Sequence, residues 1–383
     1  MNVLVTGSKG FIGKNLIAWL VREPDIHVLG IDLDHTAADL EQALAAADFV
    51  VHLAGVNRPP TVEEFHTINV GFTAQVCRRL LELDKSTPFL FSSSIQAILD
   101  NPYGVSKRRA EEVVADYAAR SGARAIIYRL KNVFGKWCRP NYNSVVATFC
   151  HNIARDLPIT ISDPAHELEL VYIDDVVQAF ISEIKASQRN GPARAGVIYR
   201  EVEPSYRVTL GRLAELIRSF RTMRTALLVP NLADEFSRKL YGTYISYLEA
   251  DDFAYDLTQR TDSRGSLAEF VKSASFGQIF VSRTQPGVAR GNHYHHTKAE
   301  KFLVLEGEAV IRFRQVRSQR SEVIEYRVSG KDFRVVDIPP GYTHSIENVG
   351  EGELVTLFWA SEVFDPERPD TIFEQVEGPE SKV

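Results

Sequence analysis

Three glycines near the start of the chain have the spacing of a phosphate-binding turn. Gly7, Gly10 and Gly13 follow a short apolar run, Asn2–Thr6, and precede residues with helical periodicity. In such a strand-turn-helix segment the first glycine permits a tight turn, the second lets the backbone approach a pyrophosphate, and the third lets the helix pack on the strand. Asp32 closes the next apolar run, 19 residues after Gly13, where an acid can bind a ribose. The pattern predicts a dinucleotide site.

Histidines in the last quarter of the chain have the spacing of metal ligands. His293 and His295 are two residues apart, so on a strand their side chains would lie on the same face. Glu300 and His344 follow in segments that read as neighbouring strands, and they could close a metal site. No cysteine occurs after Cys150, so the ligands would be nitrogen and oxygen atoms. Such a set suits zinc, manganese, iron or nickel and does not choose among them.

The glycine turn is followed by further short segments in a fixed order. They are TGxxGxxG at 6–13, HLAG at 52–55, FSSS at 91–94, YGVSK at 103–107 and RLKNVFG at 129–135. This series resembles the extended short-chain dehydrogenase/reductase family, which uses a nicotinamide dinucleotide. The resemblance implies cofactor contacts from Gly7, Ser8, Lys9, Gly10, Phe11, Ile12, Gly13, Asp32, Leu53, Ala54, Gly55, Asn69, Tyr103 and Lys107.

Tyr103 and Lys107 lie one helical turn apart, a spacing that suits proton transfer. A tyrosine normally titrates near about pH 10, and a lysine ammonium alongside it would lower that pKa. Tyr103 could then exchange a proton with a sugar oxygen. By the pattern of the family, Ser94 would hydrogen-bond the same oxygen and hold the carbonyl while hydride arrives. The predicted catalytic residues are therefore Ser94, Tyr103 and Lys107, and Ser94 is also expected to contact the substrate.

The histidine segments resemble a second family. They read H-x-H-x4-E-x6-G from residue 293 and P-x-G-x2-H-x3-N from residue 339, as in the cupins. The resemblance implies an all-β jelly-roll barrel that binds a divalent metal, with zinc as the expected ion. Its ligands would be His293, His295, Glu300 and His344. A regular strand turns His296 to the opposite face, although a bulge could exchange it with His295. A metal-free sugar-binding barrel is the alternative.

A reductase-like half followed by a cupin-like half resembles the CapF-type enzymes of bacterial capsule and O-antigen synthesis, over nearly the whole chain. The most specific segments are 92–107, 134–150, 291–303 and 337–348. The resemblance implies a UDP-2-acetamido-2,6-dideoxy-4-ketohexose substrate, whose ketone makes the C3 proton acidic. The cupin domain would epimerise C3, with its metal as a Lewis acid. The reductase domain would reduce the ketone to UDP-N-acetyl-6-deoxy-L-talosamine, a precursor of UDP-N-acetyl-L-fucosamine.

The phosphate preference of the cofactor stays open. An acid after the second strand binds the ribose hydroxyls of NAD and repels the extra phosphate of NADP. Lys9, in the glycine turn, would offset the charge of Asp32 only in part. The CapF-type group is associated with NADPH, and Asp32 departs from that association. We therefore expect NADH or NADPH.

The same resemblance implies where the nucleotide sugar binds. Its expected contacts, in and before a polar, aromatic loop, are Asn132, Arg139, Asn141 and Tyr142, and the arginine suits a diphosphate. The base that removes the C3 proton is not visible in the sequence, and the candidates are His296 and Tyr342. A homodimer is expected, since β domains of this type pair through edge strands. Two alternatives are a regulatory protein that senses nucleotide and sugar without turnover, and a cupin domain that serves only for dimerisation.

Both sites need particular elements to hold their residues. Strands are predicted at Asn2–Thr6, His27–Ile31, Phe49–Ala54, Pro88–Ser92 and Arg124–Leu130, alternating with amphipathic helices. This alternation is typical of a Rossmann-like, doubly wound parallel sheet. Helical periodicity ends with two helices predicted at Thr209–Arg221 and Ala233–Leu248.

From about Thr261 the pattern changes to short alternating runs that end at Gly, Pro or Asn, which indicates an all-β domain. The runs are 278–283, 301–307, 309–316, 321–328, 333–339 and 353–360. We therefore predict a dinucleotide-binding domain at 1–247 and a metal-binding β domain at 257–383. The segment between them is not rich in proline or glycine.

Composition excludes several other classes of protein. A chain of 383 residues with 44% hydrophobic and 25% charged residues suits two globular domains. Its net charge of −6 lacks the basic footprint of a nucleic-acid-binding protein. No apolar run approaches the roughly 18 residues of a membrane-spanning helix, and the start of the chain lacks the basic region of a signal peptide. Three scattered cysteines fit a reducing compartment, so a cytoplasmic protein is expected.

Overall fold

The computed structural model of the protein describes residues 1–190, 195–316 and 322–376. Contacts within the chain divide it into two units. The first comprises Met1–Arg218 and Lys239–Glu249, and the second comprises Ser219–Arg238 and the chain from Ala250 onward. The sequence pattern gives no sign that Ser219–Arg238 groups with the C-terminal unit, because this segment spans the end of one predicted helix and the start of the next.

Strands and helices alternate along the first unit. Its strands are β1 (Asn2–Thr6), β2 (His27–Ile31), β3 (Phe49–His52), β4 (Phe89–Ser94), β5 (Arg124–Leu130), β6 (Asn132–Phe134), β7 (Glu167–Tyr172), β8 (Gly196–Arg200) and β9 (Ser205–Thr209). Its helices, of which the last two contribute residues to both units, are α1 (Phe11–Leu20), α2 (Ala37–Ala46), α3 (Val62–Glu64), α4 (Thr73–Glu82), α5 (Pro102–Ser121), α6 (Val145–Ala154), α7 (Ile173–Asn190), α8 (Leu210–Thr225) and α9 (Glu235–Ile245). Among the described helices, none combines the length and the apolar character needed to span a membrane.

A six-stranded parallel sheet forms the centre of the first unit, in the order β2-β1-β3-β4-β5-β8. This confirms the predicted Rossmann-like parallel sheet. Strand β3 ends at His52, two residues earlier than expected. Strand β4 extends to Ser94, two residues later than expected, because Ser93 and Ser94 still pair with Arg129 and Leu130 of β5. A smaller sheet of order β6-β7-β9 accompanies it.

Helices cover both faces of the parallel sheet. Successive residues of β1 pack on opposite faces, as the pleat requires. Leu4 joins the apolar cluster formed with α2, α4 and α5, whereas Val3 and Val5 join the cluster formed with α1 and α7. Both faces of the strands are thus buried, which explains the continuous apolar runs in the sequence.

The second unit consists mainly of antiparallel sheets. Its strands are β10 (Gln259–Asp262), β11 (Gly265–Ser273), β12 (Gly277–Thr284), β13 (Ala289–Tyr294), β14 (Glu300–Glu306), β15 (Glu308–Gln315), β16 (Ile324–Ser329), β17 (Val335–Ile338), β18 (Tyr342–Asn348), β19 (Leu354–Ala360) and β20 (Ile372–Phe373). Two sheets form, with the orders β10-β11-β12-β19-β14-β17 and β16-β15-β18-β13-β20.

One apolar cluster joins the two sheets of the second unit. Phe302 and Phe358 of the first sheet lie in the same cluster as Ile311 and Ile346 of the second. The sheets therefore enclose a common core, and the predicted all-β character is confirmed. The strand predicted at 321–328 is found at Ile324–Ser329, and Ser321 lies outside the described residues.

The first turn of α5 packs directly on the 3-10 turn that follows β4. Asn101 caps the helix by accepting a hydrogen bond of 2.8 Å from the Gly104 N–H. A Cβ atom on Gly104 would lie 2.2 Å from the Gln96 carbonyl oxygen and 2.8 Å from that of Leu99. Only glycine permits this approach, and it brings the residues after Ser94 against the helix that carries Tyr103.

We therefore expect Gly104→Ala to destabilise the fold by about 1–3 kcal/mol, because the added methyl group must displace backbone atoms. Gly242→Ala is the matched control. Gly242 also lies in a helix, and none of the described residues comes within 4 Å of a Cβ placed there, so alanine should be neutral or stabilising by up to about 1 kcal/mol. Urea denaturation of both variants measures the difference. Equal stability of the two variants would contradict the close packing of α5.

Candidate functional site

The glycine turn between β1 and α1 has an open side that fits a pyrophosphate. Gly7 has a φ of +67°, and a Cβ there would lie 2.8 Å from the Ala54 nitrogen. A Cβ on Gly13 would lie 2.3 Å from the Gly7 carbonyl oxygen. At Gly10, in contrast, that same oxygen at 3.1 Å is the one described atom within 4 Å of a Cβ. Helix α1 begins at Phe11, so its first N–H groups are available to a phosphate beside Gly10.

Five further predicted cofactor residues fall into two groups. Phe11, Ile12 and Leu53 are partly buried, and their side chains pack against the apolar core, which leaves their main-chain atoms for a cofactor. Gly55 and Asn69 instead lie next to the predicted catalytic lysine. A Cβ on Gly55 would lie 3.0 Å from Asn69 Oδ1 and 3.4 Å from the Nζ of that lysine. The structure thus brings the end of β3 and the predicted catalytic helix together.

Asn69 is fixed by hydrogen bonds at both ends of its amide. Its Oδ1 accepts from the Val56 N–H at 2.8 Å, and its Nδ2 donates to Ser106 Oγ at 3.0 Å. Ser106 lies in α5. Asn69 therefore links the loop after β3 to the helix that carries Tyr103.

His52 is a buried residue that the sequence analysis noted only as part of a motif. Its Nδ1 lies 2.7 Å from Thr6 Oγ1, and its Nε2 lies 3.0 Å from Thr73 Oγ1. Thr73 in turn donates to the Asn69 carbonyl oxygen at 2.7 Å. Burial lowers the pKa of His52 to about 3, with Lys107 adding to the effect. The ring is therefore neutral at physiological pH and ties β1, β3 and α4 together.

Lys107 is buried, and its ammonium group does not depend on Tyr103 for a partner. Lys107 Nζ donates to the Ser92 carbonyl oxygen at 2.9 Å. Burial lowers the pKa of Lys107 to about 8, although the nearby Glu111 acts in the opposite direction. The structure therefore holds a lysine whose charge is lost just above neutral pH.

The pKa of Tyr103 differs from the expectation. Lys107 was expected to lower it, but burial raises it to about 12, and the neighbouring Ser94 hydroxyl opposes that rise. The expectation of a lowered pKa is therefore wrong for this arrangement, because removing water from the phenol outweighs the help of its neighbours. The phenol is protonated at neutral pH, as a proton donor must be.

Glu111, which the sequence analysis missed, joins α5 to strands β4 and β5. Its side chain is buried, and Ser93 Oγ donates to its Oε1 at 2.5 Å. Arg129 of β5 donates to both carboxylate oxygens, at 3.0 Å to Oε1 and 2.6 Å to Oε2. The sequence signal was the placement of Glu111 four residues after Lys107, on the same helical face.

The predicted substrate residues form no hydrogen bond, within the described part of the chain, to the catalytic residues. Asn132 Nδ2 donates to the Glu169 carbonyl oxygen at 3.3 Å. The Arg139 guanidinium lies over the Tyr142 ring, 5.2 Å from its centroid. Asn141 has a φ of +54° and donates its N–H to Thr148 Oγ1 at 3.0 Å. Arg139 and Tyr142 are thus brought together as a cation beside an aromatic ring.

A cleft of about 940 Å³ opens beside the residues that follow Ser94. Its lining includes Gln96, Leu99 and the side chain of Lys131. Lys131 Nζ lies 3.0, 3.6 and 3.1 Å from carboxylate oxygens of three acids of the cleft, Glu169, Glu201 and Glu203. These acids outnumber the cations of the cleft, so its charge does not favour a diphosphate there. Arg139 is better suited to that group.

The four predicted metal ligands meet in the second unit. One ligand atom from each of His293, His295, Glu300 and His344 lies within 4.8 Å of all the others. Glu300 Oε2 is 3.5 Å from His295 Nε2 and 3.4 Å from His344 Nε2. Neither of these buried nitrogens has a hydrogen-bond partner among the residues that the structure describes. The separations match adjacent ligands around a tetrahedral ion with bonds of about 2.0–2.2 Å, so the residues fit a divalent metal.

Electrostatics leave this cluster ready to bind a cation. Burial, together with the neighbouring histidines, lowers the pKa of His293 to about 4. Although burial opposes it, the adjacent imidazoles of His295 and His344 lower the pKa of Glu300 to about 2. The negative charge of Glu300 raises the pKa of His295, although burial acts in the opposite direction. His296 lies outside the cluster: it is exposed, and its ring packs against Tyr294 with centroids 5.3 Å apart.

Asp370, a second residue that the sequence analysis missed, holds the segment after the first histidines. Its carboxylate accepts hydrogen bonds from the N–H groups of His296, Thr297 and Lys298, at 2.9 to 3.1 Å. Its main-chain carbonyl oxygen is the partner of His295 Nδ1. A proton held on Nδ1 leaves Nε2 free to bind a metal. No motif marks Asp370, because its partners are 72 to 75 residues away.

Comparison with known proteins gives matches along the whole chain. Residues 3–197 match the model of the NAD dependent epimerase/dehydratase family, and residues 260–372 match the polysaccharide biosynthesis C-terminal domain. The UDP-2-acetamido-2,6-beta-L-arabino-hexul-4-ose reductase of Pseudomonas aeruginosa is 43% identical, over 97% of this chain and 98% of that protein.

Solved structures show the same relationship. The capsular polysaccharide assembling protein CapF from Staphylococcus aureus has a TM-score of 0.88 and 47% identity, over 98% of this chain and 100% of that one. The UDP-glucuronic acid 4-epimerase from Bacillus cereus, in complex with UDP-glucuronic acid and NAD, has a TM-score of 0.55 and 19% identity over 64% of this chain and 99% of that one, which shows the fold alone. With a family model over about half of its length and full-length relatives above 40% identity, the chain belongs to the NAD dependent epimerase/dehydratase family and, within it, to the CapF-type proteins.

Proposed function

We propose that this protein is a bifunctional nucleotide-sugar enzyme. Its C-terminal unit, a cupin barrel with zinc as its metal, inverts C3 of a UDP-2-acetamido-2,6-dideoxy-4-ketohexose. Its N-terminal unit reduces the C4 ketone with NADH or NADPH, giving UDP-N-acetyl-6-deoxy-L-talosamine, a precursor of UDP-N-acetyl-L-fucosamine for capsule or O-antigen. One observation carries the proposal: a Ser-Tyr-Lys site and a buried cluster of three histidines and a glutamate occur on one chain. A homodimer stays a prediction.

The Pseudomonas aeruginosa relative supports the substrate class, because its name describes a reductase of UDP-2-acetamido-2,6-beta-L-arabino-hexul-4-ose. In the reduction, a bound nicotinamide would supply hydride to C4. Tyr103 gives its hydroxyl proton to the C4 oxygen, so hydride and proton together convert the ketone to an alcohol. Ser94, whose Oγ is held by the Gln96 N–H at 3.2 Å, hydrogen-bonds the same oxygen. Asn132, Arg139, Asn141 and Tyr142 are proposed to hold the nucleotide.

In the epimerisation, a divalent ion held by the four ligands would stabilise negative charge as the C3 proton leaves. A side chain must remove that proton, and a proton must return to the other face of the carbon. Tyr342 lies two residues before His344 on β18 and packs against the enclosed core, so it shares the face of a ligand. His296 is exposed outside the cluster. We therefore favour Tyr342 over His296 as the group that exchanges the proton.

The proposal is tested by incubating the protein with the 4-keto sugar nucleotide and NADH or NADPH in deuterated water. We expect oxidation of the cofactor and a product that carries deuterium at C3. Cofactor oxidation without deuterium at C3 would remove the epimerase half of the proposal. Binding of the sugar nucleotide without either event would favour the sensing protein instead.

Tyr103→Phe should separate the two activities. Loss of the proton donor should slow cofactor oxidation by about 10²–10⁴-fold, while deuterium still enters C3 of the unreduced ketone. His344→Gln removes a metal ligand and leaves the reductase unit intact. It should therefore abolish deuterium entry at C3, while the variant still oxidises the cofactor when it is given the C3-inverted ketone. Mass spectrometry of the sugar nucleotide and absorbance of the reduced cofactor give the two readouts. Equal loss of both activities in Tyr103→Phe would contradict two separate sites.

The pH dependence of the reduction should report Lys107. Its pKa of about 8 means that the ammonium is present below that pH and is lost above it, so kcat/KM should fall as the pH rises through this region. The negative charge of Glu111 raises the pKa of Lys107. Glu111→Gln should therefore move the falling limb to lower pH. Glu112→Gln, next in the chain and exposed, is the control and should leave the limb in place.

Asp370 should control metal affinity. Asp370→Ala releases the segment that carries His295, so we expect zinc to bind about 10–100-fold more weakly, the usual effect of losing such a supporting group. Asp365→Ala is the control, since Asp365 lies on the same segment and its carboxylate contacts Glu367 and Arg368 of its own turn. Competition with a chromophoric zinc chelator measures both affinities. Equal affinities would show that Asp370 does not support the site.

A further inference from the structure

We propose that the first unit selects NADH over NADPH through two acids, Asp32 and Asp34. The inference rests on the proposed reductase function, because it names the cofactor of that same site. It concerns the ribose end of the dinucleotide, which the glycine turn and the end of β2 would hold.

The carboxylate of Asp32 is fixed at the glycine turn. Its Oδ2 accepts the Lys9 N–H at 2.7 Å, and its Oδ1 accepts the Leu33 N–H at 2.8 Å. The turn itself is tied to β2, since the Ser8 N–H donates to the Ile31 carbonyl oxygen at 3.2 Å. Each carboxylate oxygen can accept more than one hydrogen bond. Asp32 therefore keeps acceptor capacity for two ribose hydroxyls.

Lys9 is the cation of the turn that could meet a 2′-phosphate, and it already faces an acid. Its Nζ lies 2.5 Å from Asp34 Oδ2. Both side chains are more than half exposed, so this pair contributes little to stability. The net charge around Lys9 determines whether a 2′-phosphate is attracted or repelled. One lysine faces two carboxylates, and a phosphate at this position would meet net negative charge.

His35 adds no permanent cation, unlike a lysine or an arginine. Its Nδ1 accepts a hydrogen bond from the Asp32 N–H at 3.2 Å and lies 3.4 Å from Asp34 Oδ1. The next helix adds no cation either. Helix α2 begins with a capping box between Thr36 and Asp39, which places a further carboxylate on this side.

The sequence around the site lacks the residues that bind a 2′-phosphate. An arginine near the end of the second strand normally accommodates that group. No lysine or arginine occurs between Arg22 and Arg58. The acids of that stretch, several of them close after β2, are Glu23, Asp25, Asp32, Asp34, Asp39, Glu41 and Asp48. A 2′-hydroxyl fits this environment, and a 2′-phosphate is repelled by it.

Binding of NADH and NADPH to the whole protein, followed by nucleotide fluorescence, tests the inference without any turnover. We expect NADPH to bind about tenfold or more weakly than NADH, the effect of one added like-charge contact near the surface. The ratio of the NADPH dissociation constant to that of NADH should shrink as salt is added, because exposed charges are screened.

Two variants test whether Asp32 and Asp34 cause the preference for NADH. Asp34→Asn leaves Lys9 without its acid, so NADPH should bind more tightly than it does to the wild type. Asp32→Asn removes an anion that the ribose hydroxyls use, so the NADH preference should narrow several-fold. Asp48→Asn makes the same change of charge just before β3, at the opposite end of the strands, where Asp48 accepts the Asn2 N–H at 2.7 Å. It should leave the ratio unchanged.

Equal or tighter binding of NADPH by the wild-type protein would overturn the inference, as would a change of ratio in Asp48→Asn as large as in Asp32→Asn. Absence of binding by either dinucleotide would overturn it as well. Selective NADH binding without reduction of the 4-keto sugar would support the cofactor inference and remove the proposed function, so the two failures are distinguishable.

Discussion

The buried carboxylate of Glu111 fixes the position of the helix on which the reductase site depends. A carboxylate loses several kcal/mol of solvation when it is buried, unless it is paired and hydrogen-bonded. Glu111 receives a hydrogen bond from Ser93 of β4 and two from Arg129 of β5. Sliding α5 along the sheet would leave this charge without partners. The helix is therefore held in one register relative to two strands.

That register determines the geometry of the active residues. Lys107 lies one turn before Glu111 and donates to the Ser92 carbonyl oxygen. Tyr103 lies one turn before Lys107, beside Ser94. Three consecutive serines at the end of β4 thus have three separate tasks. The carbonyl oxygen of the first accepts from the lysine, and the hydroxyl of the second donates to the buried glutamate. The hydroxyl of the third lies beside Tyr103 and is the one that we propose to contact the substrate. Gly104 permits the close approach that this arrangement needs.

The second unit also contains a buried carboxylate, that of Glu300, but its neighbours are imidazoles and not an arginine. Glu300 is surrounded by imidazoles, and two of their nitrogens have no hydrogen-bond partner within the described part of the chain. Phe302 packs against His344 with ring centroids 5.7 Å apart, so the polar cluster borders directly on the apolar core. Such an arrangement is costly without a bound cation. Arg129 and Ser93 balance the charge of Glu111, whereas the cluster around Glu300 is the site at which we propose a divalent metal.

Local patterns explain what could be predicted from the sequence. The parallel sheet, the β domain and the glycine turn each depend on residues close together in the chain, where periodicity and turn chemistry leave clear signals. The Arg129–Glu111 pair and the Asp370 contacts join residues far apart, which no local pattern marks. The raised pKa of Tyr103 depends on burial, which only the packed structure defines. Among the strands that the sequence analysis did not predict, β10 and β20 are short and their residues are exposed.

The proposed chemistry imposes an order on the two sites. The C3 proton is acidic only while C4 is a ketone, so inversion at C3 must come before reduction at C4. A reductase that accepted the uninverted ketone would divert the substrate. Both C3 epimers present the same carbonyl to Ser94 and Tyr103, so these residues cannot distinguish them. Discrimination must come from groups that meet the sugar ring away from C4, and the cleft that begins at Ile95 and Gln96, directly after Ser94, is where such contacts are available.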